Sequence, residues 1–168
     1  MKYSRSLVKA FLIFPANVMG GIPLFLVWCS RKGGPLESYS YSFQGLRFLV
    51  GVLLFGLGAW LCWKTVSLFT ERGEGTPAPF DPPRRLVIEG PYCYSRNPMM
   101  IGVWLVLSGE TIIFGSIPLG AWLSAFLGLC LLLIPFWEEP ELEKRFGQPY
   151  RDYKQKVPRW IPGFRKIS

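Results

Sequence analysis

Residues 99–137 are almost wholly apolar, with Glu110 as the one charged residue and a Gly115-Ser116 turn near the middle. About forty such residues with a turn near the middle suit two membrane-crossing helices. A helical hairpin returns the chain to the side it left, so whatever flanks it must meet at one membrane surface. The flanks are polar and distinctive: GPYCYSRNPMM at 90–100, and EEPELEKRFGQPYRDYKQKVPRWIP at 138–162. Asn97 and Glu138 are therefore predicted to lie together at the hairpin's mouth.

Two further apolar blocks, 7–29 and 43–69, precede the hairpin blocks 99–114 and 117–137. Each approaches the roughly 20 residues that span a bilayer. A soluble core has no need of four such blocks in 168 residues, of which 50% are hydrophobic and 18% charged. The fold class expected is an all-α membrane protein with about four transmembrane helices, a cytoplasmic loop and a C-terminal interfacial helical tail. It forms one integral membrane domain over 1–168: two helices in 1–70, a loop in 71–98, the hairpin in 99–137 and the tail in 138–168. The first block exceeds a signal-peptide core and lacks a small-residue cleavage site, so it reads as a retained helix. Pro15, Asn17, Gly20, Gly21 and Pro23 predict that it bends.

Lysine and arginine placement sets the orientation. Lys2, Arg5 and Lys9 precede the first helix, Arg72, Arg84, Arg85 and Arg96 lie in or beside the long loop, and eight more follow Glu139. The Gly115-Ser116 turn has none. Both termini are expected in the cytoplasm, in the inner or plasma membrane if the protein is prokaryotic. The net charge of +8 then reports topology and attraction to anionic headgroups, not nucleic-acid binding. Cys29, Cys62, Cys93 and Cys130 form no C-x-x-C pair, so neither disulfides nor a metal site is expected. The chain has no histidine, which removes His-based triads and the commonest general base.

Glycine and proline density in the long loop forbids a helix, while Phe80, Leu86, Val87, Tyr92 and Tyr94 favour an ordered, packed segment. Asn97-Pro98 suits a helix start, Asn as cap and Pro in the first turn. Pro140 is expected to break or re-aim the chain after the acidic pair. Tyr150, Tyr153 and Val157 form a stripe at helical spacing, so the tail is expected to lie at the interface or to cap the loop.

The mouth offers a ligand several groups at once. Free N–H groups at a helix start beside Arg96 favour an anion. Tyr92 and Tyr94 offer aromatic faces, and Glu138 and Glu139 accept hydrogen bonds from a diol or ammonium. S-adenosylmethionine combines a carboxylate, an ammonium, a ribose, a purine and a sulfonium. By default, Trp137 and Trp160 belong to an interfacial aromatic belt. Glu110, deep in the third helix, is expected to be hydrogen-bonded within the bundle.

GPYCYSRNPMM, the apolar hairpin, EEPELEKRFG and YRDYKQKVPRWIP together resemble the isoprenylcysteine carboxyl methyltransferase family and its prokaryotic membrane relatives, over residues 73–163. The resemblance implies an integral membrane methyltransferase that binds S-adenosyl-L-methionine. The cofactor-binding positions it implies here are Arg85, Leu86, Val87, Tyr92, Asn97, Pro98, Met99, Met100, Glu138 and Glu139. Arg96 is a candidate for the substrate, and no residue is assigned a covalent role.

There are departures: the eukaryotic enzymes have His where Asn97 stands and Tyr where Met100 stands, and prokaryotic relatives often have Arg at Cys93. They also carry an arginine before the acidic run for the substrate carboxylate, where residues 131–135 are apolar. The expected acceptor is thus a lipid-like or small lipophilic molecule other than a prenylcysteine. Phospholipid N-methylation is the alternative within the same chemistry. A nicotinamide-dependent membrane reductase and a non-catalytic membrane partner are alternatives outside it.

Overall fold

The computed structural model describes residues 17–32, 44–72 and 84–161. Expectations for 7–16, 43, 73–83 and 162–168 fall outside the described residues. Among the described residues the chain is helical and without strands. A single π turn at Asn17–Gly21 leads into α1 (Ile22–Lys32), followed by α2 (Gln44–Arg72), α3 (Pro98–Phe114) and α4 (Ile117–Leu133). Two short helices end the fold, α5 (Glu139–Phe146) and α6 (Gln148–Lys156).

The π turn contains Asn17, Gly20 and Gly21 of the block expected to bend, and Trp122 Nε1 on α4 donates to Val18 O at 3.2 Å. Pro140 does not break the chain. The irregularity comes earlier, in a π turn over Ile134–Glu138, where Glu139 N–H reaches back to Ile134 O. Pro140 then sits in the first turn of α5, where its missing N–H costs nothing. The break falls instead at Gly147, whose φ of +63° suits glycine, with Pro149 opening α6.

α2 and α3 run antiparallel and in close contact along a seam of small residues. A Cβ placed on Gly58 would lie 2.5 Å from Gly102 O, and one on Gly109 would lie 2.6 Å from Gly51 O. Neither helix could approach so closely with side chains at these points. Cys62 Sγ, on the same seam, donates to Met99 O at 3.7 Å. α3 ends at Gly115, left-handed at φ 59°, whose N–H bonds Thr111 O and turns the chain into α4. Val103, Leu107, Phe126, Cys130 and Ile134 fill the core between α3 and α4.

Two helices are long and apolar enough to cross a membrane, Gly45–Leu68 and Ile117–Phe146, and two shorter apolar helices accompany them, Asn17–Ser30 and Pro98–Phe114. Only 17% of the apolar window of α2 is buried, whereas the core helix of a soluble protein is mostly covered. Leu46, Phe48, Leu53, Trp60 and Trp63 are left uncovered on α2. Such a surface suits lipid. Glu110 is buried as expected (8% exposed), but its Oε2 finds no hydrogen-bond partner among the described residues.

Candidate active site

The hairpin brings its two polar flanks together, as its length requires. The loop enters through a 3₁₀ turn at Gly90–Cys93 that buries Tyr92. Ser95, Arg96 and Asn97 then lead into α3, with Pro98 in its first turn. Across from them, the π turn at the end of α4 delivers Glu138 and Glu139.

Glu139 is almost fully buried, at 2% exposure. Arg159 grips its carboxylate with two parallel bonds, Nε to Oε1 at 2.8 Å and Nη2 to Oε2 at 2.9 Å. Lys154 Nζ lies 3.7 Å from Oε2. Arg96 Nη1 lies 2.8 Å from Oε1 as an ion pair, yet the direction of its N–H groups misses the oxygen, so Nη1 and Nε donate no hydrogen bond. Cations on three sides keep this carboxylate ionised inside the protein. Lys154 and Arg151 also pair with Glu143, nearer the surface.

Asn97 occupies the cap position of α3, but its side chain makes no capping bond. Its Nδ2 donates instead to Arg159 O at 3.2 Å, beside Ser95 Oγ, which donates to the same carbonyl at 3.0 Å. The amide is thus held away from the first turn, whose N–H groups stay uncapped by it. Arg96 N–H donates to Pro158 O at 2.9 Å. The tail strand after α6 is therefore stitched to the start of α3.

The tail caps the loop. Tyr150, Tyr153 and Val157 are buried against Leu86, Ile88, Leu142 and Phe146, and Tyr153 Oη donates to Tyr92 O at 2.8 Å. Burial, then the neighbouring Tyr153 and Glu138, hold the Tyr92 phenol well above its ordinary range. Burial, then the Glu139 charge, pushes the Tyr150 phenol up to about 12 despite Arg96 beside it. Glu138 is solvent-accessible, yet its charge is felt at Tyr92 and Tyr150.

The expected site residues are distributed unevenly at this mouth. Val87, Tyr92, Pro98, Met99 and Glu139 are buried, Leu86, Arg96, Asn97 and Met100 half-buried, and Arg85 and Glu138 exposed. Met100 packs into the core between α3 and α4, its Sδ 3.9 Å from Cys130 Sγ. Sequence reasoning missed Ser95, Lys154 and Arg159, because ordinary surface spacing gives no sign of a buried partner. Trp160 packs on Trp104 with ring centroids 4.6 Å apart. Trp137 is 70% exposed.

Arg96 is committed to Glu139, and the accessible Glu138 suits an ammonium or a hydroxyl pair. The described residues contain no cluster of His, Cys, Asp and Glu fit to hold a metal ion. No curated protein and no solved structure matches the chain. The phospholipid methyltransferase family model matches residues 46–149, which span α2, α3, α4, α5 and the mouth between them. With more than half its length so matched, the chain belongs to the phospholipid methyltransferase family, which shares an integral membrane methyltransferase superfamily with the isoprenylcysteine carboxyl methyltransferases.

Proposed function

We propose that the protein is an S-adenosylmethionine-dependent methyltransferase that modifies a small lipophilic acceptor at the hairpin mouth. The observation that carries this reading is the meeting of Asn97 and the acidic pair at the hairpin mouth, joined through Arg159, in a chain of this family. S-adenosylmethionine supplies an electrophilic methyl group on a sulfonium, and the main demand on the protein is alignment. Asn97, the first turn of α3 and Glu138 would hold the polar end of the cofactor. Leu86, Val87 and Tyr92 would line its flat ring. Four spans with both termini in the cytoplasm would place this mouth in water and α3 and α4 in lipid, the acceptor arriving from the bilayer.

The acceptor reading has two branches. The family match favours a phospholipid amine headgroup. An amine must lose a proton around the transfer, and Glu138 is the accessible acid at the mouth to receive it. A carboxylate acceptor needs no base but does need a cation. Residues 131–135 supply none, Arg96 is already committed to Glu139, and Arg85 is exposed. Farnesylcysteine analogues should therefore be poor acceptors.

Thermal stabilisation of the detergent-purified protein tests the cofactor. S-adenosylhomocysteine should raise Tm and NADPH should not; the reverse would favour a reductase. Label transferred from S-adenosylmethionine should appear in extracted amine lipids ahead of farnesylcysteine analogues, and saturable methylation of the analogue would reverse that order. Reporter fusions at residue 168 and in the Gly115-Ser116 turn should show opposite accessibility.

A further inference from the structure

Arg159 touches both halves of the mouth, and it does so with two different groups. Its guanidinium holds Glu139 through bonds of 2.8 and 2.9 Å. Its main-chain carbonyl accepts from Asn97 Nδ2 at 3.2 Å and from Ser95 Oγ at 3.0 Å. One residue thereby connects the start of α3 to the acids after α4, across the whole hairpin. The strand carrying it is fixed on either side, by Arg96 N–H on Pro158 O and by Trp160 against Trp104.

Both contacts set a direction as well as a distance. With Nδ2 committed to the Arg159 carbonyl, the Asn97 amide presents Oδ1 as its remaining acceptor. With both oxygens of Glu139 in the guanidinium fork, the rotamer of the first residue of α5 is fixed, and Glu138 is its immediate neighbour. The Arg159 side chain itself is one-third exposed, so it stands at the rim of the mouth and not in the core.

We propose that Arg159 is a positioning residue of the cofactor site, holding Asn97 and the acidic pair at the spacing the ligand requires. This inference rests on the reading of the mouth as an S-adenosylmethionine site. A residue that only stabilised the fold would, once removed, lower Tm and leave the affinity of the folded protein unchanged.

Calorimetry with S-adenosylhomocysteine on the full-length protein in detergent separates these roles. Arg159→Ala keeps the main-chain carbonyl but loses the fork, and should bind about tenfold more weakly. Arg159→Lys keeps a charge without the fork and should fall between it and the parent. Asn97→Ala combined with Arg159→Ala should lose less than the two single losses together, since both act through one strand. Unchanged affinity in Arg159→Ala, or full additivity, overturns the proposal. Should Arg159→Ala fail to fold, Arg159→Lys decides, and affinity equal to the parent's overturns it. A parent that binds no S-adenosylhomocysteine overturns the cofactor reading itself, a result visible without any variant.

Discussion

α3 is secured in two unlike ways along its length. Its stem lies against α2 through glycines, with backbone on backbone and no charge involved. Its first turn is secured by a buried carboxylate, two guanidiniums and a tail strand. The same contrast appears in the two buried acids. Glu139 is surrounded by cations, whereas Oε2 of Glu110 has no partner among the described residues. Packing on the stem is a matter of shape and tolerates no added atom. The mouth is a matter of charge balance.

The largest effect should come from the stem. Gly58→Leu would put side-chain atoms where Gly102 O stands, 2.5 Å from the Cβ position. Neither backbone can yield cheaply, so we expect a loss of about 3 kcal/mol, read as a fall in Tm of detergent-purified protein that salt does not change. A variant as stable as the parent would mean that α2 and α3 are not joined at this seam.

At the mouth, Glu139→Gln leaves the buried Arg96 without its counter-ion. We expect a loss of roughly 2–3 kcal/mol, reduced from the full buried-pair cost because Arg159 and Lys154 reach water. Here the penalty should vary with salt, unlike that of Gly58→Leu. Salt-independence would erase the contrast between the two regions.

Tyr153→Phe removes the bond to Tyr92 O and should cost about 1 kcal/mol. The same cluster predicts an alkaline limit. The Tyr150 phenol moves from an ordinary 10.0 up to about 12, and burial raises Tyr153 as well. A raised tyrosine contributes stability that is intact below the unfolded value, near 10, and fades as pH climbs through the folded one. Phenolate absorbance should therefore show the tail releasing from the loop above about pH 10 while α2 and α3 stay paired. Simultaneous loss of both would sink this order.

The smallest effect serves as the control for the first. Gly56 sits on α2 two residues before Gly58, and a Cβ there meets nothing within 4 Å. Gly56→Ala should be neutral or stabilising by at most about 1 kcal/mol. Destabilisation as large as that of Gly58→Leu would show that the open face of α2 is also occupied.

The hairpin was legible because an apolar run of fixed length with a Gly-Ser break has few physical outcomes. Tyr150, Tyr153 and Val157 were legible for a similar reason, since one periodicity puts them on one face, and they do pack on the loop. The glycine seam could have been noticed. Gly51 and Gly58 are seven apart, as are Gly102 and Gly109, a spacing that repeats on one helix face. Pro140 misled because proline is harmful inside a helix but harmless in a first turn, and the π turn before it restarts the helix.

Sequence alone determined which segments are apolar, that the hairpin's flanks meet, and which residue types gather there, because burial and chain length act locally. Only the tertiary structure decided how those residues divide their work. Glu139 is consumed by Arg96, Lys154 and Arg159 while adjacent Glu138 stays exposed, and Asn97 turns from its own helix to a carbonyl in the tail. Adjacent glutamates are chemically identical on paper. They differ once a π turn rotates one inward to meet charges brought from three other segments, and no local pattern encodes that rotation.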